Sequence, residues 1–299
     1  MKKQSFSGDL ALLTTAFIWG SGFIAVDYCL EVGFPPGMVN MLRFMIGAAA
    51  LLLILNKKIL TFTKAELKTG IIAGFFFFIG FLFQAIGLQT IEVSSNALLT
   101  ATNLLMVPFI SRLVFKEKIA FRVFIAVFAC FFGIAVLNWT ESGFHMSSGD
   151  ILTLICAFGF ACHISWLGYA GGGDKNEMHL TFIQLLTVGV FSSVYFFAFE
   201  LDQVAVTETV FGMGAILYLA LFPTALCLFL QTFGQKRSTS TAKSAVLLSL
   251  ESLFGTVFSV LLGLEPVTLN LIVGGGIIFL SVLWFEWRNS KATAGEMIS

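Results

Sequence analysis

Charge is what this sequence has least of. Only 11% of its 299 residues are Asp, Glu, Lys or Arg, 58% are apolar and the mean hydropathy is +0.94. Soluble domains carry about a quarter charged residues, so this composition excludes one and leaves a polytopic membrane protein. Cysteine is also sparse: Cys29, Cys130, Cys156, Cys162 and Cys227 stand apart in apolar stretches, with no C-x-x-C and no His at ligand spacing. That excludes a disulfide framework and a zinc site, and the five are read as small buried apolar residues. No basic run suggests nucleic acid. A P-loop, a G-x-S-x-G and an H-E-x-x-H are all missing, paired intramembrane aspartates are absent, and His145, His163 and His179 lie far apart in depth. ATP-driven pumping by this chain, and an enzyme embedded in the membrane, therefore lack their residues; no cofactor and no metal are expected.

What is present is length in apolar runs. Ten windows of about 20 residues, each long enough to cross roughly 30 Å of hydrocarbon as a helix, fall near 10–28, 36–55, 69–89, 94–115, 119–138, 149–169, 179–199, 210–231, 240–262 and 267–287. Met1-Lys2-Lys3 ahead of an apolar stretch resembles a signal peptide, but no small-x-small cleavage site follows, so the first stretch is expected to be a retained span.

With both termini cytoplasmic, the positive charges sort onto one side. Lys2, Lys3, Lys57, Lys58, Lys64, Lys68, Arg112, Lys116, Lys118, Arg122, Lys175, Lys236, Arg237, Lys243, Arg288 and Lys291 all fall at cytoplasmic ends, sixteen of the seventeen Lys and Arg residues. The opposite connections carry Glu31, Glu92, Glu141, Glu200, Asp202, Glu208 and Glu265 and no Lys or Arg. This asymmetry sets the expected orientation and supports the count of ten, since one span more or less would scramble every later connection.

The chain also repeats itself. "GDLALLTTAFIWG" at 8–20 is echoed by "GDILTLICAFGFA" at 149–161, with Gly8, Asp9, Leu13, Ala16 and Phe17 matching Gly149, Asp150, Leu154, Ala157 and Phe158 at an offset of 141. Residues 94–119 lie against 242–267 at an offset of 148, pairing Ala97 with Ala245, Leu99 with Leu247, Ser111 with Ser259 and Glu117 with Glu265. Each half holds five spans. Because five is odd, the second copy enters the membrane from the other side, the inverted-repeat arrangement with which secondary transporters open a central site alternately to each face.

The expected architecture is thus all-α: ten transmembrane helices as two inverted five-helix repeats, residues 1–140 (spans 1–5) and 141–290 (spans 6–10), with a cytoplasmic tail at 291–299. These features, with Trp19-Gly20-Ser21, Arg43-Phe44 and a "VFKEKI" run echoed by "LLGLEPVT", resemble the EamA branch of the drug/metabolite transporter superfamily. The chain departs from that pattern at Lys116, where the family usually has Gly, and at Ser252, where Pro commonly follows the Glu. The resemblance implies a carrier of small metabolites, often moved outward, in a prokaryotic inner membrane.

Candidate residues come from polarity out of place. Glu251 falls at the centre of span 9, where an ionised carboxylate costs about 2.5 to 3.5 kcal/mol on insertion scales. It is read as facing a central cavity and exchanging the coupling proton, against a packing role as a hydrogen-bonded acid. At offset 148 it maps onto Asn103. Asn96, Thr100, Asn103 and Ser111 fall within about 80° on one face of span 4, and Ser244, Glu251, Gly255 and Ser259 take the matching face of span 9. Small polar residues also glue membrane helices together, so for Thr100, Ser111, Ser244 and Ser259 the two readings stand level; Asn96 and Asn103 are assigned to the cavity.

Arg43, the remaining cation, either snorkels to headgroups or forms a fixed charge at an outer gate or vestibule. His163, Trp166 and Trp19 are read as substrate-binding or translocation residues, with packing the alternative for His163. Of Phe75-Phe76-Phe77-Phe78 most face lipid or neighbouring helices, and the Gly274-Gly275-Gly276 run reads as close packing. The expected function is a secondary active transporter, an exporter of small metabolites such as amino acids or amphipathic compounds, with proton coupling. An uncoupled facilitator of the same fold is the alternative, and a membrane-embedded enzyme a more distant one. The expected partners are a small-molecule substrate and the bilayer, with the protein a monomer or homodimer.

Overall fold

The computed structural model describes residues 2–115, 121–140, 143–171, 174–237 and 241–284. Twelve helices make up the expected ten spans: α1 (Lys2–Glu31), α2 (Pro36–Leu55), α3 (Lys64–Leu88), α4 (Val93–Ala101) with α5 (Asn103–Phe115), α6 (Phe121–Leu137), α7 (Ser148–Ala170), α8 (Glu177–Phe199), α9 (Thr209–Leu219) with α10 (Cys227–Arg237), α11 (Thr241–Leu261) and α12 (Leu271–Trp284). Seven helical stretches are long and apolar enough to cross a membrane, and three shorter apolar helices complete the set. Outside the helices, Trp139–Thr140 and Gly143–Phe144 form a two-residue antiparallel pair.

Helix starts follow local chemistry more than hydropathy. α3 begins at Lys64, ahead of the apolar window, because Thr63 and Glu66 form a reciprocal capping box; Ser147 and Asp150 do the same for α7. Pro36 sits in the first turn of α2, where its missing N–H costs nothing. Gly33 turns α1 into α2 at φ +94°, a conformation open to glycine, and its N–H donates to the Leu30 carbonyl.

Two spans are broken. Span 4 breaks at Thr102, between α4 and α5, with Pro108 one turn further on; the break brings Asn103 to the start of α5 near mid-membrane. Span 8 widens into a π-helical turn at Ala220–Leu226 around Pro223, which joins α9 to α10 and loosens the backbone ladder there.

The packing is paired. α3 lies on α7 as α1 lies on α9 and α10, and α1 lies on α11 as α7 lies on α4 and α5. The contacts α2 with α8, α4 with α11 and α6 with α12 map onto themselves. Exchanging the two halves therefore reproduces the contact set, as a pseudo-two-fold requires. The opening echo has a physical cause in this pairing. A side chain on Gly8 would meet the Gly234 carbonyl at 3.2 Å, and one on Gly149 would meet the Gly87 carbonyl at 2.7 Å. Each Gly is the point where the first span of its repeat crosses the third span of the other. Gly20 similarly admits Phe254 and Gly255 of α11, so the Trp19-Gly20-Ser21-Gly22 stretch is continuous, tightly packed helix. Gly274 faces the backbone of Gly133 and Leu137, as the close-packing reading expects, and also lies in a second π-helical turn, Leu271–Gly275.

The two ends of the bundle differ in chemistry. On one face Glu200 accepts from the Gly37 N–H at 2.7 Å, and Glu265 accepts from the Ser94 N–H at 3.1 Å and hydroxyl at 2.6 Å. Both acids sit at the N-termini of helices belonging to the other half, where the helix dipole favours negative charge. Burial pushes the Glu200 carboxyl above its ordinary range, opposed by the N–H groups of Gly37 and Met38. On the other face Glu66 accepts from the Asn176 N–H at 2.8 Å and lies 3.2 Å from His179 Nδ1, tying α3 to the start of α8. Glu177 pairs with Lys236 at 3.2 Å and Arg237 at 3.4 Å; more than a third of each cationic side chain is exposed, so these pairs contribute at most about 1 kcal/mol.

Candidate functional site

Between the halves lies a cavity enclosing about 770 Å³. Its wall draws on six spans: Trp19, Gly22, Phe23 and Val26 of α1; Arg43 of α2; Phe77, Phe81, Gln84 and Leu88 of α3; Ala101, Asn103 and Leu104 at the break of span 4; Phe160, His163 and Ile164 of α7; Pro223 and Gln231 of span 8; Leu248, Ser249 and Glu251 of α11. An aromatic chamber with a few convergent polar groups, at the interface of two halves, is the usual form of a small-molecule site.

The repeat is written into this wall. At the offset of 141, Trp19, Gly22 and Phe23 correspond to Phe160, His163 and Ile164; at 148, Ala101 and Asn103 correspond to Ser249 and Glu251. At 147, Gln84 corresponds to Gln231, just as Gly87 corresponds to Gly234. All twelve residues of these six pairs line the cavity. The wall is symmetric in position and asymmetric in chemistry, for the second repeat supplies both His163 and Glu251 where the first has Gly22 and Asn103.

Of the residues singled out from sequence, Trp19, Arg43, Asn103, His163 and Glu251 meet here. Trp19 donates its indole N–H to the Pro223 carbonyl at 2.7 Å, an acceptor in the π-helical turn. Arg43 is only 3% exposed and does not snorkel. Its Nε donates to Thr224 Oγ1 at 3.0 Å, and its guanidinium carbon lies 4.4 Å from the Phe81 ring centroid and 4.9 Å from that of Phe44. Asn103 is buried with its Oδ1 unpartnered among the described residues.

His163 is fixed on two sides. Its ring stacks on Phe77 at 4.0 Å and an interplanar angle of 11°, and its Nε2 lies 2.7 Å from Gln184 Oε1. The Gln184 amide nitrogen is committed to the Leu180 carbonyl at 3.0 Å, so the network assigns the proton to Nε2 of neutral His163. That leaves Nδ1 as a buried acceptor with no partner among the described residues. Glu251 is 9% exposed and has no ion-pair or hydrogen-bond partner among the described residues. Arg43 and Glu251 line one cavity without touching.

Three assignments to the cavity are corrected by the packing. Asn96 donates to the Gln84 carbonyl at 3.2 Å and to Thr153 Oγ1 at 2.9 Å, joining α4 to α3 and α7. Thr100 accepts from Gln84 Nε2 at 3.3 Å and lies 3.8 Å from Cys156 Sγ. Trp166 donates to the Thr69 carbonyl at 3.1 Å, tying α7 to α3. All three side chains are spent between helices, which a helical projection cannot distinguish from facing a cavity. The side chain of Ser244 lies outside the described residues, as does that of Ser111. Of the four consecutive phenylalanines, only Phe77 is buried, and it lines the cavity.

Sequence reasoning missed Gln84, Gln231 and Ser249. The signal was available: the third span of each repeat has its own register, 147, and in that register Gln faces Gln three residues before Gly faces Gly.

Comparison with known proteins agrees with this architecture. The EamA-like transporter family matches the chain twice, over residues 6–139 and 147–286. An uncharacterized transporter of Archaeoglobus fulgidus is 31% identical over 281 residues, covering 94% of this chain and 86% of that protein. The uncharacterized transporter YdfC of Bacillus subtilis is 25% identical over 218 residues, 71% of this chain and 69% of its own length. One solved crystal structure superposes with a TM-score of 0.66 at 17% identity, covering 92% of this chain and 95% of that one, and shares its fold. With both halves matched and the fold shared, this chain belongs to the EamA-like transporter family and is a membrane transporter.

Proposed function

We propose that the chain is a secondary active transporter that exports small amphipathic metabolites, amino acids among them, by alternating access, with Glu251 carrying the coupling proton. One observation supports this reading above the others: the central chamber is lined by six residue pairs exchanged by the repeat, and one of those pairs is Asn103 and Glu251. Two halves of similar shape can trade conformations, closing the chamber to one side as it opens to the other. A carboxylate without a fixed partner in that chamber is charged at a cost in apolar surroundings and neutral once protonated, which links the state of the site to proton supply. Trp19, Phe77, Phe81 and Phe160 offer apolar surface to a substrate body.

The test is flux in proteoliposomes of the purified protein under an imposed pH gradient, across amino acids, amines and aromatic metabolites. Saturable flux that follows the gradient is the expected result. Saturable flux indifferent to the gradient would favour the uncoupled facilitator, and no flux from folded protein would remove the substrate classes named.

We place both termini in the cytoplasm of a prokaryotic cell, from the Lys and Arg distribution. A cysteine at Asp202 is then labelled by an impermeant reagent in whole cells and one at Lys64 is not; the reverse pattern would overturn the orientation.

A further inference from the structure

Arg43 stands apart from the other cations. Among the described residues it is the one Lys or Arg lining the chamber, it is 3% exposed, and no carboxylate lies within 4 Å of it. A buried guanidinium with no counter-charge is costly, and breaking such a pair where one exists typically costs several kcal/mol. The protein compensates only in part. Thr224, in the π-helical turn of span 8, accepts the Nε–H, and the rings of Phe44 and Phe81 lie against the cation. These contacts hold the side chain still while the four N–H groups on its two terminal nitrogens find no acceptor among the described residues. A planar donor fork held in place at a chamber wall is the geometry that takes a carboxylate through two parallel hydrogen bonds.

The rest of the chamber narrows the class of anion. Glu251 shares the space, and the polar atoms without partners, His163 Nδ1 and Asn103 Oδ1, are acceptors. A phosphate monoester brings a charge of about −1.5 to −2 at neutral pH and would face a single cation together with a carboxylate and two acceptors. A monocarboxylate matches one guanidinium. Resting on the reading of this chamber as the transport site, we propose that Arg43 is the anion-binding residue of the chamber, positioned by Thr224. The substrate is then a monocarboxylate whose body packs against Trp19, Phe77, Phe81 and Phe160.

Three probes with one body test this: 3-phenylpropionate, 3-phenylpropylamine and 3-phenylpropyl phosphate, titrated against the purified full-length protein by calorimetry. The expected result is that the carboxylate binds wild type more tightly than the phosphate, and that Arg43→Gln weakens carboxylate binding at least tenfold while leaving the amine unchanged. Arg43→Lys, which keeps the charge but not the fork, and Thr224→Val, which frees the fork, are expected to weaken the carboxylate severalfold; they carry the test if Arg43→Gln does not fold. Carboxylate binding unchanged in these variants, equal losses for the amine, or tighter binding of the phosphate would each overturn the proposal. Binding needs no gradient, so loss of proton coupling leaves this result standing. Gradient-driven flux of substrates that carry no carboxylate would retain the transporter reading and overturn this one.

Discussion

Glu251→Gln is expected to reduce gradient-driven flux to the level of protein-free liposomes while leaving a monodisperse, helical protein. The amide keeps the size and hydrogen-bonding capacity of the acid, so the chamber keeps its shape; it cannot gain or lose a proton at working pH. In the wild type the carboxyl has no partner among the described residues to hold it in one charge state, and Asn103, its counterpart in the first repeat, is already an amide. The variant thus makes both members of the pair neutral and removes the one feature that distinguishes them by charge. Flux is measured with the pH gradient imposed in each direction. Wild-type rates differ between directions, and variant rates do not rise above background in either. Undiminished gradient-driven flux in Glu251→Gln would return this residue to helix packing and move the search for coupling to His163.

Gly149→Val is expected to lose most of its folded protein, with a lowered melting temperature in detergent and aggregated material on size exclusion. A Cβ at this position would stand 2.7 Å from the Gly87 carbonyl and against the Thr90 hydroxyl, and a carbonyl within a helix cannot swing aside as a flexible side chain can. Overpacking of this kind costs about 1–3 kcal/mol where neighbours can adjust, and more where they are backbone. The pseudo-symmetric Gly8→Val is expected to be milder, because its nearest contacts are the Arg237 Cβ at 3.1 Å and the Gly234 carbonyl at 3.2 Å. Gly168→Ala meets nothing within 4 Å and serves as the neutral control. If Gly149→Val melts like wild type, the close crossing of α7 and α3 is looser than the geometry has it, and the Gly echo loses its packing explanation.

Much of the architecture was legible in the chain. Ten apolar windows became ten helical spans because a buried backbone in lipid must satisfy its own hydrogen bonds, and length plus hydropathy then suffices to place helices. The Gly-Asp echo was legible as a repeat, and its Gly marks a helix crossing in each half. Helix starts were less so: α3 begins at Lys64 because of the Thr63–Glu66 capping box, a local hydrogen-bond motif that a hydropathy window does not register.

The site was legible in part. Glu251 and Asn103 stood out because polarity at mid-span is costly, and each lines the chamber. Asn96 and Thr100 carried the same signal on the same helical face, yet their hydrogen bonds run to Gln84, Thr153 and Cys156. Angle about one helix axis does not say which neighbour stands opposite, and the break at Thr102 changes that angle between Thr100 and Asn103.

What the sequence determined by itself was set by terms that act along the chain: hydropathy fixed where helices form, the distribution of Lys and Arg set the expected orientation, and repetition with an odd span count set the exchange of halves. What only the tertiary structure decided was which polar groups are satisfied by neighbours and which are left to a ligand. Arg43 could not be told from a snorkelling residue until Thr224, Phe44 and Phe81 were found around it. The bare Nδ1 of His163 likewise follows only from Gln184 and, behind it, Leu180. Hydrogen bonds and ring contacts depend on distances of a few ångströms between residues far apart in the chain, and packing alone sets those distances.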